Sequence, residues 1–475
     1  MRALVLLLAL LTPAVAAAQA PAVTRADLAR TYTRLDALLS AQALPLDAQR
    51  RVNEAFDRGT LSFFLGRGAE TIAQLDSVTV SLDPSWPLPL LAWRLVPQPA
   101  RVVAGDTTAV TIALVRLYGT WSLPSTSTLH LRAEDGRVGA RFQVMHSEDR
   151  SDRAMATLAP DLLTRLTPGR YHLWLHAGGD SLRGDDLIVL AEPLETTAAA
   201  LRARLDALPR RAELAVATEA VTSRLTLLTM RPDPNSTAQL LADPLTLVPA
   251  ITAEVEALER GTDPFVGWTG DRWQTMTVGG TSIPLRIVAP ARPTGATGGR
   301  ALIIALHGAG MDENAFIDGY GSGIITRLAA ELDAVVASPA TPAFARSAVA
   351  FDTLVARMVR EQGVDPSRVV VVGHSAGAAA TIGLAAQRGT AIRAVAALAG
   401  AGAAPAGATL PPALIIGAAM DPVIPEARVR AQAEQLQAAG HRVEYRALAD
   451  WGHTLMVGEV LPEVLRWLLA AERGR

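Results

Sequence analysis

Gly373-His374-Ser375-Ala376-Gly377 sets a serine between two glycines, where a run of β-branched residues from Arg368 to Val372 gives way to the alanine-rich stretch from Ala376 to Arg388. The first reads as a strand buried on both faces and the second as a helix. A turn this tight strains the backbone, and glycines remove the Cβ atoms that would collide beside Ser375. The serine hydroxyl is thereby lifted clear of a sheet, in position to attack a carbonyl carbon. A hydroxyl is a weak nucleophile without a base beside it. The chemistry therefore requires a histidine, a carboxylate to orient it, and donors for the developing oxyanion.

The rest of the chain offers one candidate for each role. Ala413 to Gly417 reads as a buried strand, and Asp421 opens the loop segment DPVIP beyond it, where a carboxylate can accept from an imidazole N–H. His453 stands in Trp451-Gly452-His453, after the last strand-like run. Upstream, Leu306-His307-Gly308-Ala309-Gly310 ends another strand in small residues, so bare backbone can approach a substrate. The N–H groups of Ala309 and Ala376 are expected to form the oxyanion hole, with His307, Gly308 and Gly310 supporting that loop. His374 adjoins the nucleophile, but its side chain leaves the elbow in another direction and is not expected to be the base. Met311, Phe316, Tyr320, Met420 and Trp451 fall on loops expected to rim the site, with apolar bodies suited to an acyl or aromatic group.

No metal site is predicted. His172 and His176 share a strand face without a third ligand nearby in sequence, and Asp312 and Glu313 read as loop-fixing residues. No cofactor is implied, because every role is filled by a side chain or an amide.

These groups need a framework, and from Thr262-Asp263-Pro264 onward the sequence supplies one. Strand-like runs at Arg272–Val278, Ser282–Ala289, Ala301–Leu306, Ala334–Ser338, Arg368–Val372, Arg393–Leu398, Ala413–Ile416 and Arg442–Ala447 alternate with helical patterns. Such alternation predicts an α/β fold: an eight-stranded, mostly parallel sheet with helices on both faces over residues 263–475. Between Leu398 and Pro412 the chain is too small and broken to build a lid, so the site is expected to be open.

The upstream half has a different texture. Apolar residues at helical spacing over Thr24–Ser40 and Leu46–Phe56 predict a helical hairpin within residues 21–75. Short alternating runs at Val78–Leu82, Thr108–Tyr118, Ser127–Arg132, Arg141–Met145 and Tyr171–His176 predict a β-sandwich over residues 76–192. Its length and the Leu166-Thr167-Pro168-Gly169-Arg170-Tyr171 segment look immunoglobulin-like. Residues 193–262 are helical again and are expected to pack with the amino-terminal helices. Residues 263–475 are expected to need little from upstream for chemistry on small esters, with the upstream residues bearing on selectivity or rate for larger substrates at the domain junction.

Composition narrows the classes. With 475 residues, more than one domain is expected. A formal charge of −2 gives no basic field for nucleic acid. Arg2, an apolar run from Ala3 to Leu11, and Ala18-Gln19-Ala20 have the form of a signal peptide spanning residues 1–20, so the mature chain is expected in the periplasm or outside the cell, without a membrane span. The chain has no cysteine, which excludes disulfides, a thiol nucleophile and thiolate metal sites.

The LHGAGMDENAF segment from Leu306, the Gly373–Gly377 pentapeptide, the DPVIP segment and Gly452-His453 together resemble the α/β-hydrolase superfamily over roughly residues 301–469. Within it the chain is most similar to the phospholipase/carboxylesterase and acyl-protein-thioesterase group and to secreted esterases akin to polyhydroxybutyrate depolymerases. The resemblance implies a Ser375–Asp421–His453 triad acting on a small or polymeric carboxylic ester. Two rivals are a serine peptidase akin to the prolyl oligopeptidases, although no propeller precedes this domain, and a polysaccharide- or surface-binding protein with a vestigial hydrolase.

Overall fold

A computed structural model describes residues 23–147, 151–230, 237–347 and 349–471. The expected signal segment lies outside these residues. Among them no helix is long and apolar enough to cross a membrane.

The described residues open with three helices, α1 (Arg25–Ser40), α2 (Leu46–Phe64) and α3 (Gly68–Leu82). Thr24 caps α1 in a reciprocal box: its hydroxyl accepts from the Asp27 amide at 3.2 Å, and Asp27 accepts from the Thr24 amide at 2.8 Å. Two expectations fail here. The hairpin is a three-helix layer, and Val78–Leu82, predicted to open the β region, is the last turn of α3. Ile72, Leu75, Val78 and Thr79 recur at helical spacing and are buried. Thr71 and Thr79 donate to the Arg67 and Leu75 carbonyls, so their hydroxyls are satisfied within the helix. Packing of that face overrides the strand preference of the β-branched residues.

One turn of helix, α4 (Leu88–Leu91), leads into β1 (Trp93–Gln98), β2 (Arg101–Val103), β3 (Val110–Arg116), β4 (Thr128–Ala133), β5 (Val138–Gln143), β6 (Met145–His146) and β7 (Arg153–Leu158). After the short α5 (Pro160–Leu163) come β8 (Gly169–Ala177) and β9 (Asp180–Leu190). They form two sheets, ordered β1-β3-β7-β6 and β2-β9-β8-β4-β5. Both contribute to one core, with Ile112 and Leu114 from one and Leu129, Leu131, Leu173 and Leu175 from the other. The Tyr171 hydroxyl donates to the Thr167 carbonyl at 3.0 Å, closing the corner that leads into β8.

Helices α6 (Leu194–Asp206), α7 (Ala215–Leu228) and α8 (Pro244–Glu259) share a core of Leu201, Val221, Leu225, Ile251 and Val255. They do not form one bundle with α1–α3 as expected. Instead α7 lies along β10 (Gly270–Val278): the Thr275 and Thr277 amides donate to Ser223 Oγ at 3.0 Å and Glu219 Oε1 at 2.9 Å. An edge strand has unpaired N–H groups, and these side chains occupy them.

The remaining strands are β11 (Thr281–Ala289), β12 (Arg300–Leu306), β13 (Ala334–Pro339), β14 (Val364–His374), β15 (Ala394–Leu398), β16 (Ala413–Ala418) and β17 (Val443–Leu448). With β10 they form an eight-stranded sheet, ordered β10-β11-β13-β12-β14-β15-β16-β17. From β13 to β17 the pairing is parallel; β10 and β11 pair antiparallel. Helices α10 (Thr341–Arg346), α11 (Ala350–Gln362), α12 (Ala376–Arg388) and α13 (Glu426–Ala438) cover one face, and α9 (Tyr320–Glu331) and α14 (Met456–Ala470) the other. The central strands are largely apolar because both faces are buried, and every residue of β12 is buried, its leading Arg300 included.

Candidate active site

Ser375 sits between β14 and α12 with φ 55° and ψ −117°, a left-handed backbone that a non-glycine residue adopts only under constraint. The flanking glycines show why the constraint holds. A Cβ on Gly373 would lie 2.2 Å from the Gly377 carbonyl oxygen, and one on Gly377 would lie 1.9 Å from that of Leu306. Only glycine permits helix, elbow and neighbouring strand to approach this closely.

The hydrogen-bonded line that follows is continuous. Ser375 Oγ is 3.1 Å from His453 Nε2, and His453 Nδ1 is 2.7 Å from Asp421 Oδ2. Asp421 lies beyond the end of β16, and its other oxygen accepts from the Val423 and Ile424 amides at 2.7 and 2.8 Å. Because a carboxylate accepts only, Nδ1 of His453 carries the proton and Nε2 is free to accept from the serine. All three side chains are buried.

Two neighbouring histidines have fixed tautomers. His374 Nε2 donates to the His453 carbonyl at 2.9 Å, which leaves Nδ1 to accept from the Tyr320 hydroxyl at 2.7 Å. Burial holds its pKa well below the usual histidine value. His374 is thus a neutral strut under the His453 backbone and is not aimed at Ser375 Oγ. His307 Nε2 accepts from the Thr341 amide at 3.0 Å, so Nδ1 donates to the Gly308 carbonyl at 2.9 Å. This bond ties down the loop after β12. That loop passes directly beside Ser375, for a Cβ on Gly308 would lie 3.2 Å from Ser375 Cβ. Ala376 is the first residue of α12, so its N–H has no intrahelical acceptor, and Ala309 lies with Ser375 on the wall of the same cavity.

The upstream helices enter the site, which local sequence reasoning missed. Asn53 Oδ1 accepts from the Gly452 amide at 2.9 Å and Asp57 Oδ2 from the His453 amide at 3.1 Å, so one face of α2 grips the loop bearing the histidine. A Cβ on Gly452 would lie 2.0 Å from Asp57 Oδ2. Asp57 is 3% exposed, and burial pushes its carboxyl up to about 7, against the opposing pull of the His453 amide. The α1 helix docks alongside: Asp36 accepts from the Ser322 amide within Gly321-Ser322-Gly323, three successive left-handed residues. The one sequence signal for this contact was the spacing of Asn53 and Asp57, one helical turn apart on the buried face of α2.

A cavity of about 230 Å³ opens onto Ser375 and His453. Of the residues expected to rim it, Met311 and Tyr320 do so. Phe316 is instead fully buried against Tyr320 in the core under the sheet, with ring centroids 4.8 Å apart. Trp451 packs with Leu35, Phe56 and Leu455, and Met420, whose amide donates to the Trp451 carbonyl, does not line the cavity. The site is also not open in the way the missing insertion after Leu398 implied. Leu28, Ala29, Phe56 and Phe63 roof it from α1 and α2. Asp312 accepts from Thr237 and the Asn314 amide, and Glu313 accepts from Trp273 Nε1 at 2.6 Å, so both fix the loop.

Sheet order, strained elbow and the chain order Ser, Asp, His are those of an α/β-hydrolase. No protein-family model and no curated protein matches the sequence. Among solved structures, the chain is similar to the S-formylglutathione hydrolase FrmB of Staphylococcus aureus, with 14% identity over 42% of this chain and 97% of that one, at a TM-score of 0.33. It is similar to an esterase of Pyrobaculum calidifontis, with 19% identity over 42% and 85% of the two chains and a TM-score of 0.34. The carboxylesterase EstE1 from a metagenomic library gives 20% identity over 42% and 85%, again at 0.34. At such scores these neighbours assign neither activity nor substrate to this chain.

Proposed function

We propose that the protein is an exported serine hydrolase that cleaves carboxylic esters through an acyl-enzyme on Ser375. The observation that carries this reading is the unbroken Ser375–His453–Asp421 line ending on a strained, glycine-flanked serine. In the first half-reaction Ser375 Oγ attacks the ester carbonyl carbon while His453 Nε2 takes the hydroxyl proton. Asp421 holds the imidazole tautomer and balances the imidazolium charge. The tetrahedral oxyanion takes hydrogen bonds from the Ala309 and Ala376 amides. Collapse breaks the bond to the alkoxy group, which leaves with the proton from His453. Water then attacks the acyl-serine, His453 accepts its proton and returns it to Ser375, and the carboxylic acid departs.

Export rests on the amino-terminal apolar run and the Ala18-Gln19-Ala20 segment. The deciding experiment is reaction of the purified protein with a fluorophosphonate probe, followed by mass spectrometry of the modified peptide. Modification at Ser375 together with turnover of p-nitrophenyl acetate is expected. An unmodified Ser375 and an inert protein would refute the reading. Turnover of aminoacyl anilides in place of esters would move it to the peptidases.

A further inference from the structure

The cavity beside Ser375 is asymmetric, and the asymmetry bears on which part of a substrate it takes. Its hydrolase-side wall runs along the loop after β12, through Gly308, Ala309, Gly310, Met311 and Asp312, and on to Tyr320. On the side where His453 must hand a proton to the leaving alcohol, neither Met420 nor Trp451 lines it. The cavity reaches Ser375, His453 and Thr454 and extends along the oxyanion loop, which holds the carbonyl of the acyl group.

The opposite wall comes from outside the hydrolase fold. Leu28 and Ala29 on α1 and Phe56 and Phe63 on α2 face the cavity. Phe63 lies so close over the oxyanion loop that a Cβ on Gly310 would be 2.3 Å from its ring. Of the polar side chains nearby, Arg25, Thr33 and Thr60 are engaged within the protein, whereas the buried Tyr32 hydroxyl has no hydrogen-bond partner among the described residues. Arg25 donates to the Gly310 carbonyl at 2.9 Å and pairs with Asp312 at 3.7 Å, while Thr33 and Thr60 donate to the Ala29 and Phe56 carbonyls. What they leave for a ligand is mostly hydrocarbon, with the Tyr32 hydroxyl as an unpartnered polar group on that wall. An apolar cavity of about 150 Å³ holds one benzene ring; this one, at about 230 Å³, has room for a phenyl ring with one or two further carbons, or a comparable alkyl chain.

We infer that α1 and α2 form the far wall of an acyl pocket, and that the substrate is an ester whose acyl group is apolar and about six to eight carbons long, or its phenyl-bearing equivalent. This rests on the ester-hydrolase reading. Acyl selectivity is thus written in the upstream helices, while the bond-breaking groups come from the sheet.

The test is a series of p-nitrophenyl esters from acetate to dodecanoate, assayed on the full chain. Each buried methylene contributes ~0.8 kcal/mol, so kcat/KM is expected to rise by about fourfold per carbon at most until the cavity is full, then level or fall. Ala29→Trp places a ring in the cavity and is expected to lower the hexanoate-to-acetate ratio of kcat/KM at least tenfold. Ala29→Leu, a milder change should the larger one disturb folding, is expected to move the ratio the same way by less. Phe63→Ala is expected to shift the optimum toward longer acyl groups. A flat wild-type profile, or an Ala29→Leu ratio equal to wild type, would overturn the acyl pocket while leaving the hydrolase intact. Failure to turn over any ester, acetate included, would remove the reading beneath it as well.

Discussion

The backbone amide of His453 donates to Asp57 at 3.1 Å, across a sequence separation of 396 residues. A second carboxylate therefore stands beside the proposed base, supplied by a helix outside the hydrolase sheet. Asp421 fixes the imidazole through its ring; Asp57 and His374 fix the same residue through its backbone.

Asp57→Asn keeps an acceptor for that amide but removes a charge that titrates near 7. Below 7 the wild-type carboxyl is itself largely protonated, so the two kcat/KM profiles are expected to coincide there. They are expected to separate above 7, where only the wild type carries the anion beside the imidazolium formed during the reaction. Asp57→Leu loses the hydrogen bond as well and is expected to lower kcat further. Profiles of kcat/KM between pH 5 and 9 check both. Profiles that also coincide above pH 7 for wild type and Asp57→Asn would show that the Asp57 charge is not felt by the base.

The same carboxyl has a stability consequence. Its folded-state pKa, about 7, lies above the unfolded value of 3.8, so the folded protein binds the proton more tightly. The native state is favoured below pH 4, and that advantage is lost as pH rises through 7, at a cost on the order of 4 kcal/mol. Asp57→Asn is expected to raise Tm at pH 8 and to leave it nearly unchanged at pH 4. An equal shift at both values would deny that the buried charge is the cause.

Ser375→Ala and His453→Ala are each expected to reduce turnover by several orders of magnitude while leaving the circular dichroism spectrum unchanged, and the double variant to fall little further. Full hydrolysis by Ser375→Ala would end the nucleophile assignment.

A chain beginning near Asp263 is expected to be inactive even on p-nitrophenyl acetate, contrary to the division of labour the sequence implied, because Asn53 and Asp57 no longer hold the Gly452–His453 backbone. A point substitution separates this effect from gross truncation. Gly452→Ala places a Cβ 2.0 Å from Asp57 Oδ2 and is expected to push α2 away, lowering kcat at least tenfold in a folded protein. Wild-type turnover by Gly452→Ala would show that the clamp is dispensable.

What was legible in the sequence follows from locality. The central strands of the large sheet stand out because strands buried on both faces are largely apolar runs, and Ser375 and Asp421 stand out because each follows such a run. His453 instead follows the half-exposed strand VEYRAL and is marked by Gly452 beside it. Strand β9 was hidden, since its first half, DSLRGDD, has the composition of a turn and is held in the sheet by pairing with β8. β7 was hidden too, because RAMATL has no β-branched residue but Thr157. The Asn53–Asp57 clamp was hidden more deeply. Its acceptors lie on a helix and its donors are backbone amides, so neither side chain type nor spacing around His453 marks the partner.

The docking of α2 on the His453 loop also has a kinetic meaning. The groups that must meet come from opposite ends of the chain, and closing a loop of 396 residues is among the most non-local steps available to this fold. Secondary structure and the sheet can form while Gly452 and His453 still wait for α2. After dilution from denaturant, recovery of hydrolysis is therefore expected to lag behind recovery of the circular dichroism signal. During synthesis, Asp57 on α2 is made 396 residues ahead of His453, so hydrolysis is expected to begin only after that later segment has been made and has docked.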